Sequence, residues 1–249
     1  MDVMAIARAG MQADEARMES ISHNTANVLT PGFKRQITVS PGFAALLEPG
    51  FAARLEQGVA DRSTVRPAAG PVVTMVDPSS GALRHTGNGH DVAIEGAAFF
   101  EVATPTGVAY TKAGSLRTDV QGRLVTLQDA PIMGATGEIR LTGAPFTIAP
   151  NGDVFQDGRI AGRLKLVHFA NPEALVPVGN GIYEAGAARV QEPKAPSSLR
   201  IGFLETSNVS TPQEMVRLTE TVRHFEALQR VVQGYDETLE KTIRKLGDF

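Results

Sequence analysis

The 249-residue chain contains no cysteine. Disulfides and thiolate metal sites are therefore excluded, and packing and assembly must hold the fold. This absence leaves the compartment open. There is no surplus of basic residues either: 24 Lys and Arg stand against 27 Asp and Glu, for a formal net charge of −3. No basic face is available to neutralise phosphates, so nucleic acid is not an expected partner. The chain has no apolar run of about 18 residues, the length a membrane-spanning helix needs, and no membrane span is expected. A cleaved signal peptide is not expected, because Arg8, Asp14, Glu15 and Arg17 interrupt an N-terminus that has no basic start. Catalytic signatures are missing as well. Gly87-Asn88-Gly89 lacks the third glycine and the strand-turn-helix setting of a dinucleotide site, and no nucleophile elbow or zinc-protease helix occurs.

What is present is an ordinary globular balance, 42% hydrophobic and 20% charged, which predicts a folded core. Its length allows one large domain or a compact domain with extended arms. Along residues 3–28 the positions Met4, Ala7, Met11, Asp14, Met18, Ile21, Thr25 and Val28 step by three and four. This is a heptad seam whose two polar members set register rather than strength. Thr30-Pro31-Gly32 stops the helix, since the proline ring restricts Thr30 and Gly32 favours a turn. The C-terminal end repeats the pattern at Met215, Leu218, Val222, Phe225, Gln229, Val232, Asp236, Leu239, Ile243 and Leu246. Thr211 can cap this helix, Pro212 suits its first position, and Glu214 stands where a capping box places its carboxylate. At ~1.5 Å per residue the helix would be roughly 50 Å long.

The middle of the chain has a different period. Residues 85–206 alternate short β-branched and aromatic runs with Gly, Asn, Asp and Pro. Asn151-Gly152, between Phe146-Thr147-Ile148-Ala149 and Val154-Phe155-Gln156, is the strongest hairpin signal. Further turns are expected at Pro105-Thr106-Gly107, Gln121-Gly122 and Asp157-Gly158. Arg163-Leu164-Lys165-Leu166 alternates as a strand with one wet face does. The fold class is thus mainly β with terminal α-helices: an antiparallel β domain (85–206) inserted between N-terminal (1–33) and C-terminal (207–249) coiled-coil helices. Residues 34–84, rich in Ala, Gly and Pro, form a connector with a short helix at 43–55.

The histidines carry no metal-ligand spacing. His85 and His90, beside Asp91, are expected as solvated loop residues. His168 is expected at a core edge with one hydrogen bond, and His224 off the helical seam. A wall-cutting glycosidase would need two converging carboxylates. Asp91 and Glu95 share a strand face, but four residues at about 3.3 Å each place them roughly 13 Å apart, beyond the ~5 to 9.5 Å of such pairs. No catalytic, cofactor-binding or metal residues are assigned, and no cofactor is expected.

Ser22-His23-Asn24-Thr25-Ala26-Asn27-Val28-Leu29-Thr30-Pro31-Gly32-Phe33-Lys34 resembles the N-terminal signature of the flagellar rod and hook protein family. The likeness continues at Asp91-Val92-Ala93-Ile94-Glu95-Gly96-Ala97-Ala98-Phe99-Phe100, Tyr110-Thr111-Lys112-Ala113-Gly114-Ser115 and Gly122-Arg123-Leu124-Val125-Thr126. It closes at Leu204-Glu205-Thr206-Ser207-Asn208-Val209, Glu214-Met215-Val216 and Arg223-His224-Phe225-Glu226. These blocks come in the family's order and cover all but about 35–84. The chain departs at Thr25 and Leu29, where the family usually has leucine and asparagine, and at Ala97-Ala98, where an acidic residue and glycine are common.

The resemblance implies a structural subunit, not an enzyme: terminal helices paired in a core layer around an export channel, with the β domain outward. It implies export by the flagellar type III apparatus with an uncleaved signal, a basal-body position in the periplasm, and other rod and hook subunits as partners. Moderate length and a single β domain resemble a proximal rod protein, with the distal rod or hook subunit as the alternative. The expected subunit-interface residues are Met4, Met11, Met18, Ile21, Val28, Met215, Leu218, Val222, Phe225, Val232, Leu239, Ile243 and Leu246. The family-motif residues are Asn24, Asn27, Thr30, Pro31, Gly32, Phe33, Ser207, Asn208 and Val209. From the residues alone a self-contained helical hairpin stays open. So does a periplasmic or surface β-domain binding module with coiled-coil arms, which would predict a closed oligomer and a concave pocket.

Overall fold

The computed structural model describes residues 3–39, 72–143, 145–192 and 197–247. The helix expected at 43–55 and the side chain of Leu246 lie outside the described residues. The chain divides into two compact units, one holding the described residues of Met1–His23, Ile37–Thr74 and Thr211–Phe249, the other formed by Asn24–Gln36 and Met75–Ser210. They are called the helical unit and the β unit below.

In the helical unit, α1 runs from Val3 to Ala26 and α2 from Thr211 to Gly247. α1 ends sooner than the apolar stepping suggests. Asn27 N donates to Asn24 O at 3.1 Å and Thr30 N to Asn27 O at 3.1 Å, so the last turn tightens into three-residue bonds. Val28, expected on the helical seam, lies beyond the helix for that reason. Ala7, Asp14 and Ile21 form the buried line of α1, at seven-residue intervals, with Met4, Met11 and Met18 half-buried beside it.

α2 has 37 residues and is therefore about 55 Å long. Its inward positions are Glu214, Leu218, Thr221, Phe225, Leu228 and Val232, again stepping by four and three. Leu218, Phe225 and Val232 coincide with the expected seam. Met215 and Val222 do not: they are 43% and 37% exposed, and the polar Glu214 and Thr221 take the inward places.

The β unit is built of short strands, and every pairing with a described register is antiparallel. Its main sheet has six strands in the order β15 (Val176–Gly179), β16 (Ile182–Glu184), β6 (Gly107–Thr111), β5 (Phe99–Thr104), β14 (Leu166–Phe169) and β17 (Val190–Gln191). A three-stranded sheet joins β11 (Phe146–Ile148), β12 (Asp153–Gln156) and β13 (Arg159–Arg163). Paired strands complete it: β18 (Ser198–Ile201) with β4 (Val92–Glu95), β19 (Phe203–Glu205) with β3 (Leu83–His85), β7 (Leu116–Thr118) with β8 (Leu124–Thr126), and β10 (Gly137–Glu138) with β9 (Met133–Gly134). β1 (Gln36–Val39) pairs with β2 (Val73–Val76). Strands thus stand at both described ends of the stretch expected as a connector.

The turn residues select the hairpins. Gly152 has φ +87° and its N–H closes on Ala149 O at 2.9 Å, joining β11 to β12 where Asn151-Gly152 predicts a turn. Asp157 and Gly158 both lie in the left-handed region, at φ +50° and +74°, as the two-residue turn between β12 and β13 requires. Arg163-Leu164-Lys165-Leu166 is not one strand: β13 ends at Arg163 and β14 begins at Leu166, although Leu164 is buried and its two neighbours exposed as the alternation predicts.

β5 is buried on both faces. Phe99 joins a cluster with Tyr110, Phe169 and Tyr183, and Phe100 and Val102 join another with Val92, Leu124 and Ile132. A strand covered on both sides needs no polar alternation, and its one charged residue, Glu101, is buried with the rest and pairs with Lys165 at 2.8 Å. Gly114 packs against the backbone of β4, where a Cβ would stand 1.6 Å from Val92 O. Gly114→Ala is accordingly expected to cost more than about 3 kcal/mol. Urea unfolding of the full chain measures this, and a loss below about 1 kcal/mol would contradict the packing.

Candidate functional site

Three of the motif blocks meet in the β unit. The side chain of Asn24 behaves as a piece of strand: Nδ2 donates to Gln36 O at 2.9 Å and Oδ1 accepts from Gln36 N at 2.8 Å. Thr30 Oγ1 donates to Asn27 Oδ1 at 3.1 Å, and Pro31 is half-buried behind it. Gly32 has φ +71° and donates its N–H to Glu205 O at 2.8 Å. A Cβ there would stand 2.4 Å from the carbonyl carbon of Lys112, so both conformation and space demand glycine. Phe33 is buried.

Beyond Phe33 a charged cluster is fully enclosed. Lys34 Nζ donates to Glu205 Oε1 at 2.5 Å and to Ser79 O at 2.7 Å. Lys112 Nζ donates to Gly96 O at 2.7 Å and to Glu205 Oε2 at 3.3 Å, and lies 5.5 Å from the centre of the Phe99 ring. Gly81 N, donating to Oε1 at 2.9 Å, is the third donor to the Glu205 carboxylate. The side chains of Lys34, Lys112 and Glu205 are at most 1% exposed. Burial holds the Lys112 ammonium below the ordinary lysine range; Glu205 opposes the drop and the Lys34 cation adds to it. The Tyr183 hydroxyl accepts from Lys34 N at 2.7 Å, and burial pushes its phenol well above the usual tyrosine range.

Asn208 ties the segments together from the other side. Its Oδ1 accepts from Arg35 N at 2.7 Å, while Nδ2 donates to Asp77 O at 3.2 Å and Ser79 O at 3.0 Å. Ser207 Oγ accepts from Val209 N at 3.2 Å, and Val209 is buried. The residues around 34, 79, 112 and 205 thus form one clasp. Lys34, Lys112 and Glu205 stand in three separate motif blocks, and no local signal pairs them.

Within the helical unit, Asp14 is fully buried. Its Oδ1 accepts from Arg17 Nη1 at 2.9 Å, and its Oδ2 lies 2.5 Å from His224 Nδ1. His224 stands off the inward line of α2, its side chain 56% exposed, and still partners Asp14 across the helices. A buried carboxylate needs such partners. Gly10 faces Leu228, whose Cδ1 would be 2.8 Å from an added Cβ. Moving from Asp14 back to Gly10 matches moving from His224 on to Leu228, so α1 and α2 run antiparallel. Val232 borders a groove of about 710 Å³ lined also by Met4, Arg8, Met11 and Glu15. Glu214 is buried and pairs with Arg217 at 3.0 Å.

The residues considered for catalysis are occupied separately. Asp91 Oδ1 accepts from Ser115 Oγ at 2.8 Å. Glu95 pairs with Arg200 at 2.7 Å and accepts from Ser198 Oγ at 2.6 Å. His85 stands on β3 rather than in a loop, and His90 stacks on Phe146 with ring centres 4.1 Å apart. His168 Nε2 lies 2.8 Å from Ser197 Oγ. No group of three metal-ligating side chains is found among the described residues, nor is any of their helices long and apolar enough to cross a membrane.

Residues 93–156 match the family model described as the flagellar hook protein FlgE/F/G D1 domain, and residues 200–245 the flagellar basal body rod FlgEFG protein C-terminal model. The flagellar basal-body rod protein FlgG of Buchnera aphidicola from Acyrthosiphon pisum is 31% identical, over 95% of this chain and 96% of its own. The chain belongs to the flagellar basal-body rod protein family. FlgG of Bacillus subtilis is 28% identical over 94% of this chain and 95% of its own, and FlgF of Mesorhizobium japonicum 27% over 99% and 98%. In this rod-family chain the first matched region contains Lys112 and the second contains Glu205, Asn208 and nearly all of α2.

Proposed function

We propose that many copies of this rod-family chain polymerise helically into a segment of the flagellar rod, transmitting torque and enclosing the channel for exported subunits. The similarity to rod proteins over nearly its whole length carries the structural role. The mode of assembly is supported by the far end of α2. Tyr235, Leu239 and Ile243 are 38%, 44% and 68% exposed, and at 100° per residue they continue the face that holds Phe225, Leu228 and Val232. An apolar face that outruns its intrachain partner is covered in a polymer by another subunit, and heterologous contacts of this kind extend without closing.

On this reading the terminal helices form the coiled-coil core layer and residues 85–206 an outward β domain. Met4, Met11 and Met18 of α1, and Met215, Val222, Leu239 and Ile243 of α2, contribute to contacts between subunits. The chain leaves the cytoplasm through the flagellar type III apparatus with its N-terminus uncleaved and resides in the periplasmic rod. Relatives named FlgG and FlgF both match end to end, so length and a single β domain do not separate proximal from distal positions. The proposal is made for the rod as a whole.

Cryo-electron microscopy of basal bodies from wild-type and deletion cells tests it. We expect repeated copies in one rod segment with the two helices innermost, and rods that stop below that segment in the deletion. Complete rods without this chain would refute the proposal.

A further inference from the structure

We propose that the Lys34–Glu205–Lys112 cluster is a proton-releasing clasp: it buries one positive charge more than it neutralises, and Lys112 sheds it, so the β unit is held more firmly as pH rises. The inference concerns the free subunit and does not depend on assembly.

The geometry distinguishes the two lysines. Lys34 Nζ is the close partner of Glu205 at 2.5 Å, whereas Lys112 Nζ is the distant one at 3.3 Å. The remaining contacts of Lys112 are a neutral carbonyl, Gly96 O at 2.7 Å, and the Phe99 ring, neither of which supplies a negative charge. After Nζ–H3+ passes one proton to solvent, the neutral amine keeps two N–H groups. They serve Gly96 O and Glu205 Oε2, the same two acceptors, so no hydrogen bond is given up and the unneutralised charge is gone. Loss of a proton from Lys34 would instead weaken the shorter pair.

The charged groups acting on Lys112 are Glu205 on β19 and Lys34 on the segment after α1. Burial and Lys34 lower its folded pKa below the 10.5 of the free side chain. In the window between that lowered value and about 10.5, the unfolded chain binds one proton more than the folded chain, and stability rises with pH. Tyr110 and Tyr183 have raised folded pKa values, and their contribution is lost only as pH passes about 10.

The test uses the full-length chain, which has six lysines, labelled with 13C-lysine and titrated by NMR. Lys112 is expected to titrate below the 10.5 of the free lysine side chain. Between about pH 7.5 and about pH 9.5, the urea midpoint of the wild type is expected to rise relative to that of Lys112→Met, which has no proton to release. Titration of Lys112 at the 10.5 of the free side chain or above it, or parallel pH curves for the two proteins, would each overturn the proposal. Should Lys112→Met fail to fold, the lysine titration of the wild type decides by itself.

Discussion

Glu205→Gln is expected to destabilise the β unit by about 3 to 5 kcal/mol at neutral pH, the range found when one member of a buried ion pair is removed. Glutamine keeps the shape but not the charge, and Lys34 and Lys112 would be left facing each other across an amide. That amide also turns an N–H group toward one of the two lysine donors. Since single domains have only about 5 to 15 kcal/mol of stability, a substantial part of the margin would go. Lys112 can limit the loss by giving up its proton, which makes the deficit smaller at alkaline than at neutral pH. Urea unfolding followed by β-sheet circular dichroism measures the change. A loss under about 1 kcal/mol would mean that the cluster contributes packing and not charge pairing. Glu240→Gln, on an exposed pair with Arg244, serves as the reference and should shift stability by only ~0.5 kcal/mol.

Phe225→Asp is expected to abolish rod assembly. Phe225 is half-buried on the inward face of α2 between Thr221 and Leu228. Removing a fully buried aromatic costs about 3 to 5 kcal/mol, so a half-buried one costs less, and the introduced carboxylate adds a desolvation penalty. The helical unit of the free subunit should loosen, while the strand signal in circular dichroism is retained. Cells producing the variant should be non-motile, with truncated basal bodies. Val222→Asp separates the two faces of α2. Val222 is 37% exposed, so the free chain should tolerate the change, and a block in assembly would identify the outward stripe as a contact between subunits. Normal swimming by Phe225→Asp cells would remove the helix pair from the account of assembly.

Local signals carried the reading of the fold a long way. The helices were visible in three- and four-residue stepping, and the hairpins at Asn151-Gly152 and Asp157-Gly158 in turn chemistry confined to a few adjacent residues. What local signals do not contain is pairing across long separations. β18 with β4 and β19 with β3 join segments about a hundred residues apart, and nothing in a three-residue strand names its partner. The clasp was hidden for the same reason. Lys34, Lys112 and Glu205 each lie in a motif block, yet the carboxylate reaches the two ammonium groups only when three distant segments meet. His224 illustrates a smaller version. The stepping placed Asp14 on the seam of α1, but not the side chain across α2 that answers it.

Two of the three motif asparagines impose a chemical restriction that charge and size do not reveal. Asn24 and Asn208 each use both ends of the amide, donating from Nδ2 and accepting at Oδ1. Aspartate is nearly identical in shape but, once ionised, has no hydrogen to give. It would set an oxygen against Gln36 O in one place and against Asp77 O and Ser79 O in the other. Deamidation at either position is therefore an ageing lesion to which the fold has no isosteric answer. The residues that follow, Thr25 and Val209, are β-branched and crowd the backbone nitrogen whose attack on the amide begins that reaction. The same bulk that packs the chain beside each asparagine thus shields it from slow chemical conversion over the lifetime of the subunit.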